Sequence, residues 1–175
     1  MTHRLDHIVI GVNDLATAVA SFERAGFRVT PGGEHSSGNT HNALVTFDDG
    51  AYLELIAFKD GQINPDHKWG QRLAKGEGFL DFALGSSNLE AEAARLSEAG
   101  IEHNGVHPLG RLRPDGQRID WLLLNPVNDV YPIPFLIDDI TPHELRVPGG
   151  DASRHPVGAT GVSGVRLLVA DLGSA

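Results

Sequence analysis

The sequence predicts an α+β fold built from two βαβββ units. The first observation is an internal repeat: residues 5–27 align without a gap with residues 79–101, which places His7 over Asp81 and Gly26 over Gly100. The second observation is that each copy begins with a strand-like apolar run and continues with apolar residues at helical spacing. Two copies of one unit bury their apolar faces against each other, so a pocket between them would draw side chains from both.

The first unit is predicted to contain a strand, a helix and three further strands. Its opening run is apolar almost throughout, which is typical of a strand buried on both faces. Asp14 is a suitable N-cap for the helix, and Gly26 is a suitable residue to end it. The turn Asp48-Asp49-Gly50 separates the last two strands and indicates a hairpin. We predict strands at residues 5–12, 27–30, 41–47 and 52–58, and a loop at residues 31–39.

The second unit is predicted to repeat this order. Gly100 ends its helix, and Pro132 and Pro134 suit an edge strand because proline cannot donate to a strand ladder. A loop rich in Gly, Pro and Arg separates two of its strands. Between the units, residues 66–75 predict a connecting helix anchored by Trp69. We predict strands at residues 79–85, 101–106, 119–124 and 131–137.

The tail of the chain resembles its beginning. The run VRLLVADL is similar to IVIGVNDL, and it predicts the opening strand of a truncated third unit. The alternative is that this strand completes an edge of the sheet, since its backbone must find partners. The predicted segments are a first unit at 1–58, a connector at 59–77, a second unit at 78–140, a linker at 141–160 and the tail strand at 161–175.

Composition limits the partners that the protein can have. A net charge of −9 argues against nucleic acid, because domains that bind a phosphate backbone carry a basic face. The chain has no cysteine, so it has neither disulfides nor thiolate metal sites. It shows no signal peptide and no long apolar run, so we expect no membrane association and a cytoplasmic location.

Two polar residues in apolar strands are the strongest candidates for chemistry. His7 lies in DHIVIGV and Glu54 lies in YLELIAF, where burial is costly unless each side chain is paired or coordinated. An imidazole and a carboxylate on neighbouring strands are suitable ligands for a divalent metal. The alternative is that they bond to each other, or to a ligand, in a metal-free cup. In that case Glu54 is a candidate general base.

Other candidates lie near the predicted loops. His35 and His41 are expected at the rim of the pocket, where His41 would orient a substrate oxygen or move a proton. Arg111 and Arg113 lie in a loop with a third arginine, so they would bind an anionic substrate group or form a solvated surface. Trp121 would line the pocket or belong to the core.

The paired units, the opening LDHIVIGVNDL and the strand YLELIAF resemble the vicinal oxygen chelate superfamily. That superfamily includes glyoxalase I, extradiol dioxygenases and bleomycin-resistance proteins. The run THNALVTFDDGAYLELIAF is similar in particular to its glyoxalase-like members. The resemblance covers about residues 5–138. It implies one cupped mixed sheet with helices on the outer face, and it implies a homodimer.

The resemblance also implies a metal site, with one ligand from the first strand and one from the last strand of each unit. In the first unit these positions hold His7 and Glu54. In the second unit the first strand offers Asp81, and the last strand offers Ile133 or Pro134, which are not ligands. The implied set of His7, Glu54 and Asp81 would hold Mn, Fe, Zn, Ni or Mg, and the alternative is no cofactor at all.

The function that the resemblance implies is coarse, because the fold hosts many activities. We expect a glyoxalase-like protein that binds a small organic molecule in the cup between the repeats. It would act as a metal-assisted lyase, isomerase or dioxygenase. The alternative is a metal-free protein that binds and sequesters its ligand, as bleomycin-resistance proteins do.

Overall fold

The computed structural model describes residues 3–127 and 133–168, apart from the side chain of Lys68. Its elements follow the predicted order of two βαβββ units with a helix between them. The first unit comprises β1 (Arg4–Gly11), α1 (Leu15–Arg24), β2 (Thr30–His35), β3 (Thr40–Thr46) and β4 (Tyr52–Phe58), followed by α2 (Lys68–Leu73). The second unit comprises β5 (Gly78–Gly85), α3 (Leu89–Glu98), β6 (His103–Leu112), β7 (Arg118–Pro126) and β8 (Phe135–Asp139), followed by α4 (His143–Arg146).

The eight strands close into one barrel in the order β1, β4, β3, β2, β6, β7, β8 and β5. Within each unit the first and last strands pair in parallel, β1 with β4 and β5 with β8. The two units join at two antiparallel seams, one between β1 and β5 and the other between β2 and β6. The predicted α+β fold is therefore confirmed, and the cup is a closed, mixed sheet.

Local sequence signals explain both long helices. The side chain of Asp14 accepts a hydrogen bond from the backbone of Thr17 at the start of α1, and Asn88 caps α3 in the same way. Gly26 and Gly100 follow the helix ends with positive φ angles, which glycine adopts without strain. None of the helices in the described part of the chain has the length and apolar character needed to cross a membrane.

The glycine-rich segment after α1 is a strand, although the sequence predicted a loop there. β2 pairs with β3 on one side and with β6 on the other, so its backbone groups are satisfied between the two units. Gly33 has a φ of 127°, and a Cβ at this position would overlap the carbonyl of Leu112. Glycine therefore lets β2 approach β6 closely enough to close the barrel.

The second unit also departs from the prediction. β6 continues to Leu112, so most of the predicted loop between residues 106 and 119 is a strand and only its tip turns. β8 begins at Phe135, and the first two residues of the predicted strand 131–137 lie outside the described residues. Residues 165–168 of the predicted tail strand are not in a strand, and residues 169–172 lie outside the described part.

The predicted linker contains α4, whose Arg146 contacts three strands of the barrel. Arg146 is 2% exposed and donates to both carboxylate oxygens of Asp6 at 2.9 and 2.8 Å. It also donates to Asp139 at 2.5 and 3.0 Å, and to the hydroxyl of Tyr52 at 2.9 Å. The guanidinium thus joins β1, β4 and β8 to the segment that follows the barrel. An Arg fork suits this role because it donates to several acceptors in one plane.

The segment after α4 packs back on the first unit. The ring of His155 accepts a hydrogen bond from the backbone of Arg28 at 2.9 Å, and its other nitrogen lies 2.8 Å from the carbonyl of Thr46. Ser153 donates to Asp48 at 2.5 Å. These contacts tie residues 150–158 to the start of β2 and to the β3–β4 hairpin, so this part of the chain completes the first unit.

Replacing Asp6 by Asn should destabilise the fold by about 3 kcal/mol, because it leaves a buried guanidinium with one carboxylate instead of two. Burial raises the pKa of Asp6, but the charge of Arg146 and the hydrogen bonds of His7 and Arg146 hold it well below its usual range. The wild type therefore loses this stability as the pH falls below about 4, the ordinary pKa of an unfolded Asp.

The measurement is urea unfolding of the wild type and of D6N at pH 7 and pH 3. The difference between the two proteins should be large at pH 7 and should shrink at pH 3. Asp115→Asn is the matched control, since Asp115 forms an exposed ion pair with Arg113 and its loss should cost about 0.5 kcal/mol or less. Equal losses in D6N and D115N would contradict the structural role of Asp6.

Candidate functional site

The barrel encloses a cavity of about 720 Å³ that both units line. This volume suits a small organic ligand. The wall combines aromatic and apolar side chains with many polar and charged ones, which come from β1 to β7 and from α2 and α4. The buried polar residues that line it include His7, His35, Asn42 and Glu54 from the first unit, and Asp81 and Arg111 from the second.

Glu54, in the middle of β4, carries the carboxylate at the centre of the polar wall. Its side chain is buried, with the residue only 4% exposed. Asn42 donates to Oε1 of Glu54 at 2.6 Å. On either side stands an imidazole: Nε2 of His7 lies 3.7 Å from Oε2, and Nε2 of His35 lies 3.5 Å from Oε1. The carboxylate therefore has one firm donor and two nearby rings.

His7 is held from behind by its neighbour Asp6. Nδ1 of His7 lies 2.6 Å from Oδ1 of Asp6. Because Arg146 and the hydrogen bonds keep the pKa of Asp6 well below its usual range despite burial, this carboxylate is ionised and can only accept. His7 therefore donates from Nδ1 and turns Nε2 toward Glu54. The ring also stacks on Tyr52 with centroids 4.6 Å apart, which fixes its plane.

His35, the last residue of β2, is a buried neutral imidazole. Nδ1 lies 2.9 Å from the hydroxyl of Thr40, and the ring meets Trp121 edge-on at a centroid distance of 6.1 Å. Burial lowers the pKa of His35 below its ordinary value, and the nearby charge of Glu54 offsets this only in part. A neutral ring held by Thr40 can offer an N–H group to an oxygen in the cavity.

Asn42 connects Glu54 to Arg111. Its Nδ2 donates to Glu54, while its Oδ1 accepts from Nη1 of Arg111 at 3.3 Å. A carboxylate at one end and a cation at the other fix which way the amide points. Gly32 on β2 leaves room for this arrangement, since a Cβ there would overlap Oδ1 of Asn42 and lie 2.9 Å from Nη1 of Arg111.

The second unit does not repeat the polar pair of the first. Val9 pairs with Glu54 between β1 and β4, and Ala83, its equivalent in the repeat, pairs with Phe135 between β5 and β8. Phe135 is thus the counterpart of Glu54, rather than Ile133 or Pro134 as the sequence suggested, because β8 begins later than predicted. The position that holds a carboxylate in the first unit therefore holds an aromatic ring in the second.

The donor set fits a metal only in part. His7 and Glu54 turn Nε2 and Oε2 toward each other, and Asp6 supports His7 from behind as a carboxylate commonly does for a metal-bound histidine. Asp81 lines the same cavity, but it accepts from the indole of Trp69 at 3.1 Å and from the backbone of Phe82 at 3.0 Å. Within residues 3–127 and 133–168, no three His, Asp or Glu side chains are grouped so that they could hold a metal ion.

The cavity gathers most of the site residues that the sequence predicted. The residues His7, His35, Glu54, Asp81, Arg111 and Trp121 all line it. His41 does not, because strand alternation turns Asn42 inward beside Glu54 and His41 to the other face of β3. Arg113 also lies off the cavity wall and donates to the carbonyl of Leu145 at 3.1 Å.

Three residues at the site were missed by the sequence analysis. Asn42 could have been found from the hairpin register, since the register that pairs Leu44 with Glu54 places Asn42 on the same face. Asp6 carried a weak signal as the neighbour of His7. Arg146 carried none, because it lies in a Pro- and Gly-rich segment and contacts Asp6 across 140 residues of chain.

Solved structures of known proteins share this fold. A hypothetical protein from Staphylococcus aureus is 21% identical with a TM-score of 0.68, and the match covers 83% of this chain and 62% of that one. A variant of methylmalonyl-CoA epimerase from Streptomyces coelicolor, in complex with 2-nitronate-propionyl-CoA, is 26% identical with a TM-score of 0.54, covering 81% of this chain and 100% of that one. The epimerase from Mycobacterium tuberculosis is 20% identical with a TM-score of 0.53, covering 78% and 88%.

A search of curated proteins found no match. The family comparison is more specific, and it agrees with the resemblance to the vicinal oxygen chelate superfamily that the repeats indicated. A family model described as a glyoxalase-like domain matches residues 5–175, and the chain therefore belongs to the glyoxalase-like domain family.

Proposed function

We propose that the protein binds a small oxygenated molecule in the barrel and that Glu54 transfers a proton at a carbon next to a carbonyl group. This is chemistry of the isomerase or lyase type. The observation that carries the proposal is a carboxylate that is buried in the wall of a ligand-sized cavity and flanked by His7 and His35. Carboxylates in such settings commonly act as general bases.

Glu54 and His35 supply the base and the hydrogen-bond donor that this proton transfer needs. Glu54 takes the proton from carbon through an oxygen that faces the cavity, which leaves an enolate on the substrate and a carboxylic acid on the protein. The enolate oxygen needs a donor, and neutral His35 supplies one when Thr40 donates to its Nδ1 and leaves the proton on Nε2. Return of a proton from Glu54 to the same face of that carbon gives exchange with solvent, and its delivery to a conjugated carbon gives an isomerisation. An epimerisation needs, in addition, an acid on the opposite face of the enolate.

The comparisons support this reaction class at a coarse level. One of the similar structures, 26% identical, is a methylmalonyl-CoA epimerase, and an epimerase inverts the configuration at a carbon. We infer only the reaction class from it, since the identity is low and the fold hosts many reactions. The substrate of this chain is not inferred from that enzyme.

A binding protein that sequesters an organic ligand is the second candidate. It is favoured by the asymmetry of the two units, since Phe135 takes the position equivalent to Glu54 and Trp121 adds a second aromatic surface to the cavity. Such walls bury an apolar ligand well without any reaction. In that function Glu54 and His7 would hydrogen-bond the ligand and not exchange its protons.

Replacing Glu54 by Gln separates the two functions. We expect the wild type to exchange protons next to the carbonyl of one or more members of a panel of 2-oxo acids, hydroxyketones and thioesters in D₂O, observed by proton NMR. E54Q should lose this exchange by about 10²- to 10⁴-fold, the usual contribution of a general base, while ligand affinity changes little.

The matched control is Glu34→Gln, since Glu34 is exposed and paired with Lys59 at 2.9 Å. It should exchange protons like the wild type. Exchange that survives in E54Q would contradict the role of Glu54. No exchange by the wild type with any panel member, together with ligand binding that E54Q keeps, would favour sequestration.

A divalent metal stays a prediction from the resemblance, and no step above depends on one. His7 and Glu54 would hold it, with Asp81 as the third predicted ligand, and it would polarise a substrate oxygen. Because the described residues bring only two of these donors together, we expect weak, substoichiometric metal and a Glu54-dependent exchange that survives chelator. The measurement is metal content and exchange rate after purification without a chelator or a nickel column. Stoichiometric metal that disappears in His7→Ala, with exchange lost on chelation, would show that the exchange depends on a metal ion held by His7.

The neutral state of His35 predicts a pH dependence of stability. Because burial lowers the pKa of His35 in the folded protein, the unfolded chain binds a proton below about pH 6.5 that the folded chain does not bind. The contribution of neutral His35 to the free energy of unfolding is fully present above that pH and is lost as the pH falls. Urea unfolding between pH 7 and pH 5 should show a steeper loss for the wild type than for His35→Gln. Parallel pH profiles would mean that His35 is charged in the folded protein.

A further inference from the structure

Arg111 is a buried cation in the wall of the cavity. It lies on β6 with 3% of its surface exposed. Its Nη2 donates to the carbonyl of Arg146 at 2.7 Å and its Nη1 donates to Asn42 at a long 3.3 Å. Its Nε has no acceptor in the part of the chain that the structure describes. A guanidinium has five N–H groups, so most of its capacity is unused.

The neighbouring arginines show what Arg111 lacks. Arg146 contacts two carboxylates, Arg113 pairs with Asp115 at 2.9 Å and Arg118 pairs with Asp120 at 2.7 Å. Among residues 3–127 and 133–168, no carboxylate forms an ion pair with Arg111. Its two acceptors are neutral, an amide and a backbone carbonyl. Arg111 is thus a buried charge of the cavity wall that has no counter-ion among the residues that the structure describes.

Burial of a charge without a counter-ion is costly. Desolvation lowers the pKa of Arg111, which shows that its surroundings disfavour the charge. The nearest carboxylate in the network, Glu54, does not pair with it because Asn42 stands between them and bonds to both. The amide therefore keeps the base and the cation apart. Glu54 stays free to accept a proton, and Arg111 stays free to bind an anion.

We propose that the ligand of this cavity carries a carboxylate, which Arg111 binds as its counter-ion. The inference rests on the proposed function and deepens it: the molecule that exchanges a proton with Glu54 is a small carboxylic acid or a monoanion of the same shape. One cation matches one negative charge, which favours a carboxylate over a phosphate dianion placed near Glu54. The planar fork of arginine also matches a carboxylate with two parallel hydrogen bonds.

The test is binding of matched pairs that differ only in charge. The probes are acetate with acetamide, benzoate with benzamide, and 3-phenylpropionate with 3-phenylpropionamide, titrated by calorimetry or followed by protein NMR. We expect the wild type to prefer the carboxylate of at least one pair by about tenfold or more. Arg111→Met should lose this preference while its affinity for the amide stays unchanged.

Two further variants keep the test decisive. Arg111→Lys keeps the charge and loses the fork, so it should keep only part of the preference. Arg118→Met removes an exposed arginine from the same hairpin and should bind like the wild type. Equal affinity of the wild type for acid and amide, no binding of any acid, or an undiminished preference in both Arg111 variants would overturn the inference.

The outcomes also separate this inference from the proposed function. Amides that bind as well as acids, with proton exchange that depends on Glu54, would leave the catalytic proposal standing and reject the anionic ligand. Acids that bind through Arg111 without any proton exchange would support the anion site and reject catalysis by Glu54.

Discussion

The geometry of the barrel interior depends on the buried ion pairs that Arg146 forms with Asp6 and Asp139. The guanidinium lies between Asp6 and Asp139, in contact with Tyr52, and so fixes the ends of strands from both units at one point. Removal of Asp6 would leave the buried guanidinium with one carboxylate, and removal of Arg146 would leave the buried Asp6 without its cation, which makes the cluster far more sensitive to substitution than an exposed ion pair. Backbone hydrogen bonds between strands close the barrel, and the ion pairs of Arg146 with Asp6 and Asp139 add a second set of contacts between its strands.

The same cluster determines how the candidate site is arranged. Because Arg146 keeps Asp6 ionised, Asp6 can accept only, and His7 must donate from Nδ1. The other nitrogen of His7 is thereby turned to Glu54, at 3.7 Å from its Oε2. A structural ion pair at the end of the barrel thus sets the tautomer of a ring inside it. The Arg146–Asp6 ion pair therefore contributes both to the stability of the fold and to the orientation of His7.

The repeat made the fold predictable, and departures from the repeat made the site less so. The order of elements, the N-cap of α1, the glycines that end both long helices and the β3–β4 hairpin follow from local sequence and were found correctly. β2 was predicted as a loop, because its glycines form a strand through pairing with β3 on one side and with β6 of the other unit on the other. Arg146 was not found, because its partners are remote in sequence. Short-range patterns predict elements well, whereas contacts between the two units are visible only in the fold.

The two units line the cavity with different side chains, so its polar groups are distributed asymmetrically. Where the first unit places Glu54, the second places Phe135, so equivalent positions of the two units carry a base and an apolar ring. Asn42 from β3 of the first unit and Arg111 from β6 of the second meet in one hydrogen bond. Asn42 holds Glu54 in place and separates it from the cation. Without that amide, carboxylate and guanidinium could pair directly, and neither would be available to a ligand.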